Sequence, residues 1–382
     1  MRVLFTANSL DMGGIEMNLV RLAAAMTARG HNVTVASRGG LLAPALRDAG
    51  ATHVTLELSR SPAGIWRDVR RLRGLLDAGG VTDVVHVMSA STGPLVLAAR
   101  ASRRRRAVAF ASPMGLRTHP DEAGWRVLLR AKLVTAGAGT IISISPEITR
   151  TIERLRIRPA RLVSRSVVGV EAPPPDRRDE ARRRLRDELG VTPDTSVVTT
   201  IGRLDPTKSH HLFIAAADHL RHSGPAAVFA IVGGGRLRAE LERDIDARGC
   251  GDVVRLLGER QDVRGLLAGT DVYVRPGVVE GFVGITVLEA QATGIPVVSF
   301  DTTDVRLAID DGVSGLLVDN GDPVAMAEGI RRLLLDHELR RSIAAAGYKR
   351  WQATYELGAI ADGLLGLYLD RLGRAPVPPT ES

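Results

Sequence analysis

Arg203 and Lys208 stand five residues apart in the stretch GRLDPTKS, in a chain that draws its positive charge almost wholly from arginine. Of its 51 Lys plus Arg, only Lys132, Lys208 and Lys349 are lysines. The pair follows the apolar run SVVTTIG and precedes an amphipathic stretch, so it belongs to a strand-to-helix loop that Gly202 opens. Arginine offers planar, forked donors and lysine a compact point charge, a combination suited to gripping a diphosphate. The blander reading is a pair of solvated surface cations. The loop nearly matches the P-loop pattern, but Thr207 stands where its second glycine is required, which argues against that cradle.

Three further stretches offer phosphate- or sugar-facing chemistry. In SLDMGGIEMNL, Gly13 and Gly14 follow the first apolar run, and a helix opening near Ile15 would present unpaired amides and the positive end of its dipole. In IVGGGRLRAEL, Gly233, Gly234 and Gly235 either admit a nucleotide closely or simply turn a strand into a helix. In RPGVVEGFVGITVLEAQ, Glu280 precedes a glycine-containing turn, Gly284 opens a helix, and Glu289 lies inside it. Carboxylates accept hydrogen bonds from sugar hydroxyls, whereas an exposed helical carboxylate is the plainer reading of Glu289. Among the histidines, His86 closes the run DVVHVM at the end where ligands meet a parallel sheet. His119 shares a polar loop with Arg117. His210 and His211 follow Lys208 without Cys or carboxylates at ligand spacing, so no metal site is expected.

The elements that must position these residues read as alternating strands and helices. VLFTAN, NVTVAS, HVTLEL, DVVHVM, AVAFAS and TIISIS are expected strands, with helices near 16–29, 65–76, 94–101 and 125–136. After the triple proline at Pro173, Pro174 and Pro175 comes an Arg- and Glu-rich helix. A second series then begins: SVVTTIG, AVFAIVG, VVRLLG, DVYVRP, IPVVSF and SGLLV, with helices near 212–221, 237–248, 263–268, 286–292 and 323–335. Continuously apolar strands separated by helices imply parallel sheets covered on both faces. The expected division is an N-terminal domain over 1–170, a C-terminal domain over 171–355, and a C-terminal helix and tail over 356–382 packing back on the first domain. Ligands of such doubly wound sheets lie outside the carboxyl ends of the strands, here in a cleft between the two domains.

The chain of 382 residues is too long for one ordinary core. Its net charge of +8 suits an anionic partner. Cys250 is the single cysteine, which excludes an internal disulfide and points to a reducing, cytoplasmic setting. Neither a signal peptide nor a membrane span is expected. The run RRRR at 103–106 reads as a solvated turn before a lipid contact. The arginines are not interleaved with aromatics, so nucleic acid is not an expected partner. Oligomeric state is not readable.

Together and in this order, the glycine pair after the first strand, the GRL…K loop, the EGF…E segment and the run GIPVVSFDTTDVRLAIDDGVSGLLVDNGDPVAMAEGIRRLL resemble the retaining glycosyltransferases of family 4. The resemblance spans nearly the whole chain and is weaker over 51–137. It implies the GT-B fold, two Rossmann-like domains facing each other across a cleft. Arg203 and Lys208 would hold a diphosphate and Glu289 the ribose hydroxyls. Glu280, Gly281, Phe282, Val283 and Gly284 would meet the donor sugar, with Gly14 closing over the phosphates beside Gly13, and with Gly202 and Gly234 nearby. The implied reaction is retaining, metal-independent hexosyl transfer from a nucleotide sugar to an acceptor hydroxyl, with no cofactor. Catalytic roles fall to Arg203, Lys208, Glu280 and His119, and acceptor-side roles to His86, Arg117 and His119. Family frequency favours UDP and N-acetylglucosamine. The polar loop SPMGLRTHPDE favours a small cyclitol or aminocyclitol acceptor of antibiotic or other specialised metabolism. A lipid or polysaccharide acceptor, a nucleotide-sugar 2-epimerase, and an inert nucleotide- or membrane-binding protein stay open as alternatives. Three departures stand out. Val283 adds a residue between Glu280 and Glu289, Ala111 stands near the family's histidine with His119 the nearest substitute, and Ser209 replaces a glycine after the lysine.

Overall fold

The computed structural model describes residues 1–11, 13–59, 61–77, 82–89, 92–100, 107–114, 139–154, 156, 157, 159, 161–172, 178–222, 224–278 and 284–374. The chain forms two compact units, Met1–Gly169 together with the segment from Leu357 onward, and Val170–Glu356.

The first unit is wound from β1 (Arg2–Thr6), α1 (Gly14–Ala28), β2 (Asn32–Ser37), α2 (Ala43–Asp48), β3 (Thr52–Thr55) and α3 (Pro62–Asp77). It continues through β4 (Val84–Ser89), α4 (Gly93–Arg100), β5 (Val108–Met114), β6 (Thr140–Ser143), α5 (Pro146–Arg154) and β7 (Arg161–Ser164). Among the described residues these strands make one sheet in the order β3-β2-β1-β4-β5-β6-β7, paired in parallel throughout. The order reverses between β1 and β4, the place where such a sheet opens a crevice at its carboxyl edge.

The second unit runs through α6 (Arg178–Leu189), β8 (Ser196–Ile201), a 3₁₀ turn at Pro206–Lys208, α7 (His210–Arg221), β9 (Ala227–Val232), α8 (Arg238–Arg248) and β10 (Val254–Gly258). It goes on through α9 (Val263–Gly269), β11 (Val272–Arg275), α10 (Ile285–Ala292), β12 (Val297–Phe300), β13 (Leu316–Val318), α11 (Pro323–Leu335) and α12 (His337–Thr354). Its parallel sheet has the order β10-β9-β8-β11-β12-β13, with the reversal between β8 and β11. The apolar strands fold this way because helices on both sides withdraw both of their faces from water: β9, AVFAIV, is buried along nearly its whole length, and Phe213 of α7 meets Phe229 edge-on at 5.7 Å. Local chemistry fixes the element ends. Asp322 caps α11 by accepting from the amides of Val324 and Ala325, with Pro323 in the first turn, and Gly249 closes α8 at a φ of 61°.

The last described helix, α13 (Leu357–Leu372), returns to the first unit. Arg29, the C-cap of α1, donates to Asp362 at 2.6 Å, and Arg161 at the start of β7 donates to Asp370 at 2.6 Å. Tyr368 of this helix is fully buried against the sheet.

Candidate functional site

The loop between β8 and α7 is built on two tightly joined turns. Gly202 donates its amide to Val232 at 2.9 Å, and Leu204 donates to Gly234 at 2.8 Å. Leu237 in turn donates to Leu204 at 3.1 Å. The GRL loop is therefore laced to the glycine triplet backbone to backbone. Gly233 has a φ of 150°, and a Cβ placed on it would lie 1.9 Å from the Gly202 carbonyl oxygen. No other residue fits there. The triplet serves the turn and the close approach of two loops, with Gly234 against Glu259.

Past Leu204 the chain turns at Asp205, whose carboxylate accepts from the Thr207 amide at 3.0 Å and caps the 3₁₀ turn. Burial pulls the Asp205 carboxyl upward, but the Thr207 hydroxyl, the Arg203 and Lys208 charges and the Thr207 amide outweigh it and leave the group below the usual range. Lys208 then lies across Gly202, its side-chain carbons about 3.4–3.5 Å from where a Cβ would sit. Arg203 points outward: its side chain is 76% exposed and lies 3.2 Å from Asp205. Ser209 links the 3₁₀ turn to α7 in the left-handed region, at φ 51° and ψ 39°. This is backbone that glycine adopts freely and serine does not.

His210 opens α7 and is almost wholly buried. Its Nε2–H donates to the Arg203 carbonyl at 3.2 Å, bracing the loop from beneath. Burial lowers its pKa to about 4, so the ring is neutral at physiological pH. No motif singled it out; only its place beside Lys208 would have.

Lys208 and His210 line a small cavity at the carboxyl ends of β8 and β11, with Tyr273, Arg275, Gly284 and Thr286. Gly284, at a φ of 47°, precedes α10, so the unpaired amides of that helix border the same space. Tyr273 and Thr286 share a hydrogen bond of 2.6 Å between their hydroxyls. A cation, a helix start and a neutral imidazole converge here, an arrangement that attracts an oxyanion. The cavity lies at the sheet's switch point, where the fold itself directs ligands. Arg275, the last residue of β11, was not anticipated; an arginine after an apolar strand reads as a solvated end, yet it is 4% exposed.

Not all expected site residues meet at this cavity. Glu289 is 5% exposed in α10, against the plainer reading of a solvated carboxylate, and does not line the cavity. Gly13 is extended at φ −167° and Gly14 begins α1, so the helix opens one residue before Ile15 and neither glycine needs left-handed backbone. The expectation for His86 is corrected. It sits inside β4, paired with Phe5 of β1 and Phe110 of β5, and is fully buried. Its Nδ1 lies 2.5 Å from the Tyr368 hydroxyl and its Nε2 lies 2.7 Å from Ser112. Burial alone drives its pKa down to about 3. With both nitrogens engaged in the interior, His86 is a structural residue and offers nothing to an acceptor. Glu280, Gly281, Phe282 and Val283, and likewise Arg117 and His119, lie outside the described residues. Among the described residues no three His, Cys, Asp or Glu side chains gather as metal ligands, and no helix is long and apolar enough to cross a membrane.

Comparison with known proteins places the chain. The family description "Glycosyl transferases group 1" matches residues 181–350, and "Glycosyl transferase 4-like domain" matches residues 13–165. The chain is 34% identical over 192 residues to an alpha-D-kanosaminyltransferase of Streptomyces kanamyceticus, covering 50% of this chain and 49% of the relative. It is 31% identical over 291 residues to a GDP-mannose-dependent alpha-(1-6)-phosphatidylinositol monomannoside mannosyltransferase of Mycolicibacterium smegmatis, covering 71% and 72%. The crystal structure of Anabaena Alr3699/HepE in complex with UDP superposes with a TM-score of 0.79 at 20% identity, over 97% of this chain and 100% of that one. The chain belongs to the family-4-type glycosyltransferases of GT-B fold. It spans about half the length of several curated relatives that it matches.

Proposed function

We propose that the protein is a retaining glycosyltransferase that moves a hexosyl group from a UDP-sugar to the hydroxyl of a small acceptor. The observation that carries this reading is the cavity at the carboxyl ends of β8 and β11, where Lys208 and the start of α10 direct positive potential at one small volume. In that role they offset the charge that grows on a departing nucleoside diphosphate. The departing phosphate oxygen itself takes the acceptor's proton, so no protein nucleophile is required. Arg203 reaches the outer phosphate from the loop and Glu289 bonds the ribose. Glu280, Gly281 and Phe282 meet the sugar. Metal independence belongs to the proposal, because the compensating charges come from side chains and helix dipole.

N-acetylglucosamine is the favoured sugar and a cyclitol or aminocyclitol the favoured acceptor. The sugar rests on family frequency alone; the inositol within the acceptor named for the mycobacterial relative supports the choice of a cyclitol. Incubation with radiolabelled UDP- and GDP-sugars, with and without inositol or 2-deoxystreptamine, tests the reading. Slow donor hydrolysis that becomes product formation with a cyclitol is expected. Sugar epimerisation without transfer, transfer only to lipid extracts, or no turnover of any nucleotide sugar would overturn it in favour of the corresponding alternative.

A further inference from the structure

We infer that His210 holds the proton that the departing diphosphate receives, its Nδ1 accepting a hydrogen bond from the new O–H of the leaving phosphate; this rests on reading the cavity as the donor site. His210 opens α7 in the wall of that cavity, alongside Lys208, and is 3% exposed. Its Nε2 lies 3.2 Å from the Arg203 carbonyl, and a carbonyl only accepts, so Nε2 carries the ring's proton. Nδ1 is therefore a bare acceptor, and among the described residues it meets no hydrogen-bond partner. A buried acceptor without a donor is costly and calls for an explanation. The same space is bordered by Lys208 and by the amides that open α10, donors matched to ionised oxygens. One acceptor set among donors fits a phosphate that carries a single proton.

A nucleotide sugar brings no such proton, because its diphosphate is fully ionised at neutral pH. The proton arrives with transfer. The bond from the anomeric carbon to the phosphate oxygen breaks with its electron pair, and the acceptor oxygen bonds that carbon. The acceptor's proton passes to the leaving phosphate oxygen, whose O–H then donates to Nδ1. The contact is absent from the bound donor and forms only as the diphosphate departs, where it speeds the reaction. Burial keeps the ring neutral, with a pKa of about 4, so it receives the hydrogen bond without taking the proton outright. Of the charged side chains around it, Lys208 lowers and Asp205 raises its basicity, and Arg275 shares the cavity wall.

Two variants separate the brace from the acceptor. His210→Gln has a longer amide that can donate to Arg203 from the place of Nε2 but leaves no acceptor at Nδ1. His210→Asn has a shorter amide whose oxygen stands near Nδ1 and gives up the brace. Calorimetry of UDP and GDP binding at pH 8, in HEPES and in Tris, counts the protons taken up, because the two buffers differ in heat of ionisation. A free terminal phosphate, with its second pKa at about 6, is ionised at that pH. The parent should take up a substantial fraction of one proton per diphosphate bound, and His210→Asn should do the same at a lower melting midpoint. His210→Gln should take up none and keep its melting midpoint. Its kcat on whichever nucleotide sugar the parent hydrolyses should fall about tenfold at unchanged KM for the donor. If His210→Gln matches the parent in proton uptake and kcat while Lys208→Ala is impaired, His210 is only a brace and the inference fails with the donor site intact. If Lys208→Ala is unimpaired as well, the donor-site reading itself fails. Should His210→Gln not fold, a parent that binds diphosphate without taking up a proton overturns the inference unaided.

Discussion

Lys208 lies along Gly202 and faces the cavity, so its ammonium is expected to matter more than the outward guanidinium of Arg203. Lys208→Ala should lower turnover about 10²–10³-fold with an unchanged melting midpoint. Arg203→Ala should cost about tenfold, and its effect should shrink as salt screens exposed charge. Steady-state kinetics at two ionic strengths read both. Ser209 makes a different prediction. Its left-handed backbone costs serine about 1 kcal/mol, and its hydroxyl gains only a 3.5 Å contact with the Pro206 carbonyl. Ser209→Gly should therefore hold or raise the melting midpoint, whereas the β-branched Ser209→Val should lower it by several degrees. The sequence marked this position as a departure from the family's glycine, without the strain that the departure entails. Arg275 was illegible for a related reason: residue type at a strand end does not reveal whether the end is wet or covered.

The strands were the most readable elements, because parallel pairing buries both faces and leaves unbroken apolar runs such as AVFAIV. Where burial is partial the signal fades. The edge strand β7, RLVS, exposes both its ends, and α5, PEITRTIER, carries few apolar residues. Neither was anticipated. His86 was misread because an apolar run does not say where along it the sheet edge falls; the pairing of β4 extends to Ser89. The glycine triplet shows that the laced loops, not the glycines alone, make the site. Gly233→Ala would drive a methyl into the Gly202 carbonyl and force a φ of 150° on alanine. It should cost about 2–4 kcal/mol and weaken nucleotide binding through the displaced loop. Gly265→Ala in α9 is the control: a Cβ there meets nothing within 4 Å, and about 0.5–1 kcal/mol of stabilisation is expected. Urea unfolding of both variants checks the pair.

At the scale of the molecule, each unit buries one histidine among the described residues, His86 at a pKa of about 3 and His210 at about 4, both neutral at physiological pH. Both lie below the unfolded value near 6.5, so the unfolded chain binds protons that the native state refuses. The stability they contribute is therefore full above pH 6.5 and is lost as pH falls towards 4. Each histidine adds up to about 1.4 kcal/mol per pH unit over that window. Denaturation series at pH 7.5, 6 and 5 should show the decline, and His86→Gln should make it shallower for the transition of the first unit alone, with burial of His31 and His53, which lowers their pKa values too, leaving the remainder. That unit has a second peculiarity. Its sheet is completed by α13, whose Tyr368 reaches His86 and whose Asp362 and Asp370 hold Arg29 and Arg161, although all of Val170–Glu356 lies between in the chain. During translation the order of maturation is therefore inverted. The later-made middle segment is contiguous and can close its core while the earlier-made one still waits, its apolar β4 and β5 uncovered, for a helix that the ribosome has not yet released. Nascent chains arrested with Glu356 already clear of the ribosome but α13 still inside it should resist protease across the second unit and be cut throughout the first.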